Sequence, residues 1–272
     1  MIRVPGSFRA MPRWGHDAPG REWLDRLPGL VDQQCRCWRL TVAAVPAHGS
    51  NALVVPVARD GVPLALRLAP PGDDVGALAD ALTLWAGRGT ALLRDADPAR
   101  GALLLERLDG AASLAREPLA YAVGVLAELT RTLAVPVPAD VPGTDRLAAA
   151  LADTLAADCA DLGDPLPARH LDRVLFAAGA RAAAGAGALA TNGDLHHDQV
   201  LRGTRSPWLV VDPVLLRGDP EYDLARVLWT RLDEMAEDRD IRAAFDRFVR
   251  TAAVPPDRAR DWVLIRAASY LV

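Results

Sequence analysis

Residues 191–201 read Thr-Asn-Gly-Asp-Leu-His-His-Asp-Gln-Val-Leu, and they decide how the rest of the chain is interpreted. Asp194 stands here in a polar loop that follows a glycine and leads into an apolar pair. A second acid, Asp212, ends the apolar run of residues 208–211, which predicts a short buried strand. The proline directly after it stops further sheet pairing. We therefore expect the two carboxylates on adjacent loops.

Two carboxylates on adjacent loops, one of them beside an amide side chain, are the groups that phosphoryl transfer requires. One accepts or orients the proton of a hydroxyl, and the other holds magnesium against the phosphates together with the amide oxygen of Gln199. The alternative is that Asp194 and Asp212 only cap their loops. The run Gly-Asp-Pro-Glu-Tyr-Asp at 218–223 follows them in order and favours the catalytic interpretation.

The chain before this region carries the pattern of a small sheet. Leu53, Val55 and Val57 alternate with their neighbours, as half-buried strands require. Asp60-Gly61 is a hairpin turn signal between two such strands. We predict strands at 38–45, 52–58, 63–69 and 101–108, a helix at 75–86 and, before them, an extended lead-in with one short helix around 22–26.

Helical periodicity dominates the chain after Asp109-Gly110. The chain is therefore predicted to form two lobes of an α+β fold, a sheet-rich lobe at 1–108 and a mainly helical lobe at 109–272. Clefts between lobes are where ligands usually bind. The helices of the second lobe are predicted at 119–133, 143–162, 168–183, 220–237, 241–251 and 256–271.

Composition narrows the class of protein. All 31 basic residues of the 272-residue chain are arginine, so its chemistry uses no lysine. The net charge of −4 gives no reason to expect a nucleic-acid partner. No run approaches about 18 uninterrupted apolar residues, so no membrane span is expected. Three cysteines without a disulfide framework and an N-terminus without signal-peptide order predict a cytoplasmic location.

The motifs resemble those of the aminoglycoside phosphotransferases, in particular the branch of streptomycin 6-kinases and hydroxyurea kinases. That family carries H-G-D-L-H-x-x-N, then Asp-Pro at a strand end, then G-D-P-x-x-D. Similar motifs lie in this chain at residues 191–199, 212–213 and 218–223. Three further segments also look like that branch, at residues 84–89, 101–108 and 261–262. The resemblance covers most of the chain and implies a protein-kinase-like fold.

The resemblance also implies roles for individual residues. Asp194 becomes the catalytic base, Asp212 the principal magnesium ligand and Asp223 a structural acid that steadies the loop of the base. The donor is ATP or GTP, used with Mg²⁺. Residues 106–108, including Glu106 and Leu108, become the hinge that binds the adenine. The turn at 46–51, with His48, Gly49 and Ser50, becomes the cover of the phosphates.

The chain departs from the family at the predicted phosphate-binding positions. Arg67 stands where the family has lysine, and it keeps the positive charge with a two-pronged grip on phosphate oxygens. Leu78 stands at the position of the helix glutamate that pairs with that lysine; Asp74 or Asp80 are candidate substitutes. Gln199 replaces asparagine with a stem longer by one C–C bond, roughly 1.5 Å. Asn192 replaces histidine.

The predicted function is transfer of a phosphoryl group from a nucleoside triphosphate to a hydroxyl of a small polar molecule, first an aminoglycoside or aminocyclitol antibiotic. A kinase of natural-product biosynthesis is an alternative within this class. An inactive kinase-like protein that binds nucleotide or a small molecule is another, favoured by Arg67, Leu78 and Gln199. The protein is expected to be a monomer or weak dimer. The acids at 233–240 are interpreted as a solvated helix surface rather than as an acceptor site.

Overall fold

The computed structural model describes residues 2–272. The chain divides after Asp109 into two compact units, of which the first ends at Asp109 and the second runs from Gly110 to Val272. A small antiparallel sheet in one unit and a mainly helical second unit make the fold α+β, as predicted. The functions predicted for residues 1–108 and 109–272 stay predictions.

The first unit is built on one antiparallel sheet of six strands. The strands are β1 Thr41–Val42, β2 Ala47–His48, β3 Leu53–Arg59, β4 Val62–Leu68, β5 Leu93–Asp97 and β6 Ala102–Glu106. Their order is β1-β3-β4-β6-β5, and β2 pairs with β3. β3 and β4 pair in register from Leu53 opposite Leu68 to Arg59 opposite Val62. Asp60 and Gly61 between them have φ of 52° and 79°, the left-handed values of the tight hairpin turn that was predicted.

Helices pack on this sheet because its strands alternate apolar side chains between two faces. Residues 53, 55 and 57 of β3 are fully buried against the apolar side chains of helix α2, Ala18–Trp38. Leu103 and Leu105 of β6 pack instead with residues of helix α3, Val75–Trp85. The predicted strands at 52–58, 63–69 and 101–108 and the helix at 75–86 are confirmed within one or two residues at most ends.

The extended chain predicted before the sheet is wrong, and the short helix predicted around 22–26 is part of a much longer helix. Helix α1, Gly6–Arg9, and a 3₁₀ turn at Pro12–Gly15 precede the 21-residue α2. Pro19 lies in the first turn of α2, where its missing N–H is not needed, and Pro28 is tolerated inside the helix. The buried face of α2 outweighs the cost of that proline. Because α2 runs to Trp38, the strand predicted at 38–45 is reduced to β1.

The second unit consists of packed helices and two small sheets. The helices are α4 Leu119–Leu133, α5 Thr144–Asp161, α6 Ala168–Ala184, α7 Leu224–Trp229, α8 Asp238–Ala252 and α9 Pro256–Ala268. Helix α4 packs against α8, α5 against α6, and α6 against α9. The strands are β7 Asp109–Ser113, β8 Ala190–Asn192, β9 Val200–Arg202, β10 Trp208–Val210 and β11 Leu215–Arg217, in the sheets β10-β9-β7 and β11-β8.

One predicted helix of this unit, at 220–237, is wrong. The segment is a 3₁₀ turn at Pro220–Asp223, the six-residue α7 and a second 3₁₀ turn at Leu232–Glu234. At this break the guanidinium of Arg231 donates to the backbone oxygen of Glu117 at 2.8 Å and to both carboxylate oxygens of Glu234. Within residues 2–272, none of the helices has the length and apolarity to cross a membrane.

Candidate active site

The loop that carries Asp194 begins where β8 ends. β8 pairs with β11, so the segments before Asp194 and after Asp212 lie side by side. The buried Asn192 joins them, because its Oδ1 accepts from the backbone N–H of Asp194 at 3.2 Å and of Val214 at 2.9 Å. A side chain at Gly193 would put its Cβ 2.6 Å from Cδ1 of Leu216, so any larger residue there requires the Leu216 side chain to move.

Both carboxylate oxygens of Asp194 are engaged. Nε2 of Gln199 donates to Oδ2 at 2.6 Å, and Nε of Arg226 lies 2.7 Å from Oδ1. Burial raises the pKa of Asp194 above its ordinary value, and the charge of Arg226 opposes this shift. The nearby carboxylate of Asp212 adds a smaller push upward on the same pKa. Asp194 is thus a partly buried carboxylate with a defined orientation, as a general base requires.

Asp212 follows β10 and has a φ of 51°, the left-handed region that side chains other than glycine seldom adopt. Gln199 links it to the Asp194 loop. The Gln199 amide donates to the backbone oxygen of Asp212 at 3.3 Å, while the Gln199 backbone oxygen accepts from Val211 at 2.8 Å. Strained backbone of this kind clusters at functional sites. The structure therefore brings Asp194, Gln199 and Asp212 together.

The oxygen atoms at this place fit a magnesium ion. Oε1 of the buried Gln199 has no hydrogen-bond partner among residues 2–272. An unpaired buried amide oxygen is costly unless a ligand satisfies it, and Mg²⁺ prefers carboxylate and amide oxygens. The part of the chain that the structure describes holds no cluster of three or more His, Cys, Asp or Glu suited to a metal. A sparse protein ligand set is typical of Mg²⁺ that binds together with substrate phosphates.

Asp223 holds the Asp194 loop from the start of α7. It is 3% exposed, and its Oδ2 accepts from the backbone N–H of Leu195 at 2.7 Å. Its Oδ1 lies 3.1 Å from Nη2 of Arg266. Burial raises the pKa of Asp223 to about 7 against the opposing effect of Arg266. The backbone directly after Asp194 is thereby tied to two helices.

The rest of the 218–223 motif is structural. Asp219 accepts from the indole N–H of Trp262 at 2.8 Å and lies 3.2 Å from Nη1 of Arg258. The fully buried Glu221 pairs with the same arginine, and burial raises the pKa of Glu221. The motif thus anchors α9 to the segment that leads into α7.

The two histidines of the loop differ in their surroundings. His197 is fully buried, and its Nδ1 lies 3.0 Å from Oγ1 of Thr230. Burial lowers the pKa of His197 to about 4, so the ring is neutral at pH 7. Nε2 of His196 lies 3.8 Å from Oδ2 of Asp194, and burial lowers its pKa as well. Neither ring belongs to a metal cluster among the described residues.

The other predicted site residues belong to the first unit. His48 ends β2, where its Nε2 lies 2.8 Å from Oγ of Ser7, and the exposed Gly49 and Ser50 follow it. Arg67 is buried in β4, opposite Val54 of β3 and Leu103 of β6.

Glu106 ends β6, and its carboxylate accepts from the backbone N–H of Leu92 at 3.1 Å; Leu108 lies two residues further on, partly buried.

The two candidate substitutes for the helix glutamate lie at the start of α3 and within it. Asp74 caps α3 by accepting from Ala77 at 2.8 Å, and Asp80 is exposed. Binding of nucleotide by the first-unit residues stays a prediction.

Three of the acids at 233–240 have structural partners. Glu234 pairs with Arg231 at 2.6 Å, and Glu237 and Asp240 form the capping box of α8. These partners satisfy the side chains at an exposed surface, as the sequence interpretation expected.

Sequence reasoning missed Arg226, the side chain nearest to Oδ1 of Asp194. A signal was present, because Arg226 follows Asp223 by three residues. Residues three apart lie on the same face of a helix, so a side chain at 226 is directed to the same side as the loop-binding acid.

Comparison with known proteins decides the family. The sequence model of the aminoglycoside/hydroxyurea antibiotic resistance kinases matches residues 37–270. The chain belongs to this family. It is 34% identical to a streptomycin 6-kinase of Streptomyces glaucescens, over 96% of this chain and 87% of that protein. It is 36% identical to a hydroxyurea phosphotransferase of Kitasatospora aureofaciens, over 98% of this chain and 78% of that protein.

An aminoglycoside phosphotransferase with a solved structure has the same fold as this chain. The crystal structure of aminoglycoside phosphotransferase APH(4)-Ia superposes with a TM-score of 0.61 at 16% identity, covering 90% of each chain. The protein-kinase-like fold expected from the motifs is confirmed. At that identity the likeness concerns the fold alone.

Two departures of this kinase from the family motif have visible consequences. Asn192, in place of histidine, supplies the oxygen that joins the two acid-bearing segments. Gln199, in place of asparagine, spans from Asp194 to the backbone of Asp212. A stem shorter by roughly 1.5 Å does not make both contacts without movement of a loop. The site is therefore adapted to its own residues.

Proposed function

We propose that this kinase transfers the γ-phosphoryl group of ATP or GTP, with Mg²⁺, to a hydroxyl group of a small polar molecule. The first candidates for the acceptor are an aminocyclitol or aminoglycoside antibiotic of the streptomycin kind and hydroxyurea. The relatives named for these two acceptors are similarly close to the chain, so both belong in the same test.

One observation carries the proposal. The side-chain amide of Gln199 contacts the carboxylate of Asp194 and the backbone of Asp212 at once. Two acids 18 positions apart in sequence numbering thus lie at one place, on loops held by buried partners. Phosphoryl transfer needs little covalent chemistry from the protein, and it depends on such positioning together with charge stabilisation.

Asp194 is the proposed general base. The acceptor hydroxyl oxygen attacks the γ-phosphorus, the bond from that phosphorus to the bridging oxygen breaks, and the nucleoside diphosphate leaves. The hydroxyl proton passes to a carboxylate oxygen of Asp194. The burial that raises the pKa of Asp194 makes it a stronger base, while Arg226 opposes protonation before the acceptor binds.

Asp212 and Gln199 are the proposed magnesium ligands, through a carboxylate and an amide oxygen. When bound, the ion neutralises charge on the phosphates. Asn192 keeps the two segments in register, and Asp223 prevents the backbone after Asp194 from moving. The proposed nucleotide contacts are Arg67, His48, Gly49, Ser50, Glu106 and Leu108.

The test is a screen of the purified chain with ATP or GTP and Mg²⁺ against streptomycin and hydroxyurea. It measures release of the nucleoside diphosphate and the gain of one phosphate by mass. Asp194→Asn is expected to lower kcat by about 100-fold or more, with nucleotide affinity nearly unchanged. Asp198→Asn is the matched control, since this exposed carboxylate lies in the same loop. Equal turnover by Asp194→Asn and wild type would remove Asp194 from the role of base.

The magnesium assignment has its own measurement. Titration of nucleotide with and without Mg²⁺ is expected to show metal-dependent binding that Asp212→Ala abolishes. Undiminished binding by that variant contradicts the assignment. If the wild type binds nucleotide equally well without the ion and phosphorylates neither acceptor, the chain is a binding protein instead of an active kinase.

A further inference from the structure

Arg226 contacts the proposed base directly. Its Nε lies 2.7 Å from Oδ1 of Asp194, and both side chains are mostly buried, with 23% and 31% of their surface exposed. The other carboxylate oxygen, Oδ2, accepts from Gln199. Oδ1 is thus in an ion pair and Oδ2 in a hydrogen bond, and these two contacts restrict rotation of the carboxylate.

The guanidinium of Arg226 is itself held at its far end. Its Nη1 donates to the phenol oxygen of Tyr270 at 3.2 Å. The same oxygen accepts from Arg266 at 2.9 Å, and Arg266 also pairs with Asp223, the acid that holds the Asp194 loop. The position of Arg226 is therefore coupled to that of the loop which it contacts.

A second connection holds the backbone of Arg226. Oγ1 of Thr230 donates to the backbone oxygen of Arg226 at 2.9 Å. A hydroxyl has one proton, so Nδ1 of His197, at 3.0 Å from the same Oγ1, is the donor in that pair. His197 lies three residues after Asp194. The six-residue α7 is thus fastened to the Asp194 loop at its side chain and at its backbone.

From this closed chain of contacts we propose that Arg226 is a positioning residue, which orients the carboxylate of Asp194 toward the acceptor hydroxyl and is kept in place by Thr230 and His197. The inference rests on the proposed role of Asp194 as base. It adds a determinant of the rate that lies outside the three motifs. Because α7 has only six residues, contacts from outside the helix are needed to hold Arg226 in place.

The experiment compares two substitutions of similar size. Arg226→Met keeps the stem without the charge, and Arg226→Lys keeps the charge. We expect kcat to fall by about 10- to 100-fold in Arg226→Met, with KM for nucleotide and acceptor little changed, because misplacement of a catalytic group acts on the chemical step. Arg226→Lys is expected to recover most of that loss. Thr230→Val is expected to lower kcat by several-fold for the same reason.

The control is Arg239→Met, which removes an exposed arginine from a carboxylate contact of 2.9 Å on α8 and is expected to leave kcat unchanged. An unchanged kcat in Arg226→Met overturns the proposal. A rise in KM for nucleotide at constant kcat also overturns it, because Arg226 then acts in binding. An equal loss in the lysine and methionine variants indicates a packing role and overturns it too.

A crystal structure of Arg226→Met separates this inference from the proposed function. We expect the carboxylate of Asp194 to occupy several conformers in the variant and one in the wild type. A single unmoved conformer in the variant refutes the positioning role. If the wild type has no phosphotransferase activity, the proposed function fails, while the structure still decides whether Arg226 orders Asp194.

Discussion

Two polar loops of this kinase are held in different ways. The Asp194 loop, residues 193–199, is fixed by side chains far along the chain, among them Asp223 and Arg226. The β2–β3 turn, residues 49–52, is held by a backbone hydrogen bond across the turn and by the side chain of Asn51, whose Nδ2 donates to Oδ2 of Asp73 at 2.7 Å. Gly49 donates to Ala52 at 3.1 Å, and the preceding His48 contacts Ser7 at an exposed position.

The two loops differ in how deeply their contacts are buried more than in the number of those contacts. Asp223, the acid that binds the Asp194 loop, is 3% exposed, and removing one member of such a buried pair leaves the other without compensation, at a large cost in stability. The contact of His48 is exposed, and water replaces a lost partner there at small cost. We infer that the first loop is ordered before any ligand binds and that the second is the more adaptable segment.

The largest expected effect tests the buried side of this comparison. Asp223→Ala leaves Arg266 and the Leu195 N–H without their buried partner, and breaking a buried pair costs about 3–5 kcal/mol. Urea unfolding measures the free energy of unfolding. Asp246→Ala, at an exposed site on α8, is the control and is expected to change it little. A loss below about 1 kcal/mol in Asp223→Ala contradicts the conclusion that buried partners hold the Asp194 loop more firmly than exposed ones hold the turn.

The second effect depends on pH and comes from His197. Burial lowers its pKa from 6.5 to about 4, so between these values the unfolded chain binds a proton that the folded chain does not. Stability is therefore lost as the pH falls from 6.5 to 4, by about 3 kcal/mol at most. His197→Asn retains a side-chain N–H for Thr230 and does not titrate. Its unfolding free energy is expected to depend less on pH than that of the wild type across this window; parallel curves contradict the prediction.

The smallest effect belongs to the β2–β3 turn. Ser7→Ala removes the hydroxyl contact with His48, for which we expect a loss of about 0.5–1 kcal/mol. Hydrogen exchange of the amides at 49–52 is expected to quicken, whereas Ser7→Thr keeps the hydroxyl and the wild-type rates. A loss as large as that of Asp223→Ala would mean that α1 and the turn form a more rigid unit than exposure suggests.

Alternation, turn residues and apolar periodicity, which are read from neighbouring residues, predicted the elements that depend on neighbouring residues. The β3–β4 hairpin was predicted because alternation and an Asp-Gly turn lie within 17 residues, and the long helices of the second unit follow from their apolar periodicity. Helix α2 was predicted only around 22–26, since Pro19 and Pro28 suggested extended chain on either side. Packing of its apolar face on the sheet outweighed that local preference.

The sequence by itself determined which groups are available for chemistry: two carboxylates at loop starts, an amide between them, and arginine with no lysine. Only the tertiary structure decided how they are held. Arg226 and Thr230 contact the Asp194 loop from 32 or more positions later in the sequence numbering, and Arg266 holds Asp223, which binds the same loop. No local pattern encodes these contacts. Orientation and pKa depend on burial and on these distant charges, because a side chain acquires both only when the chain has folded around it.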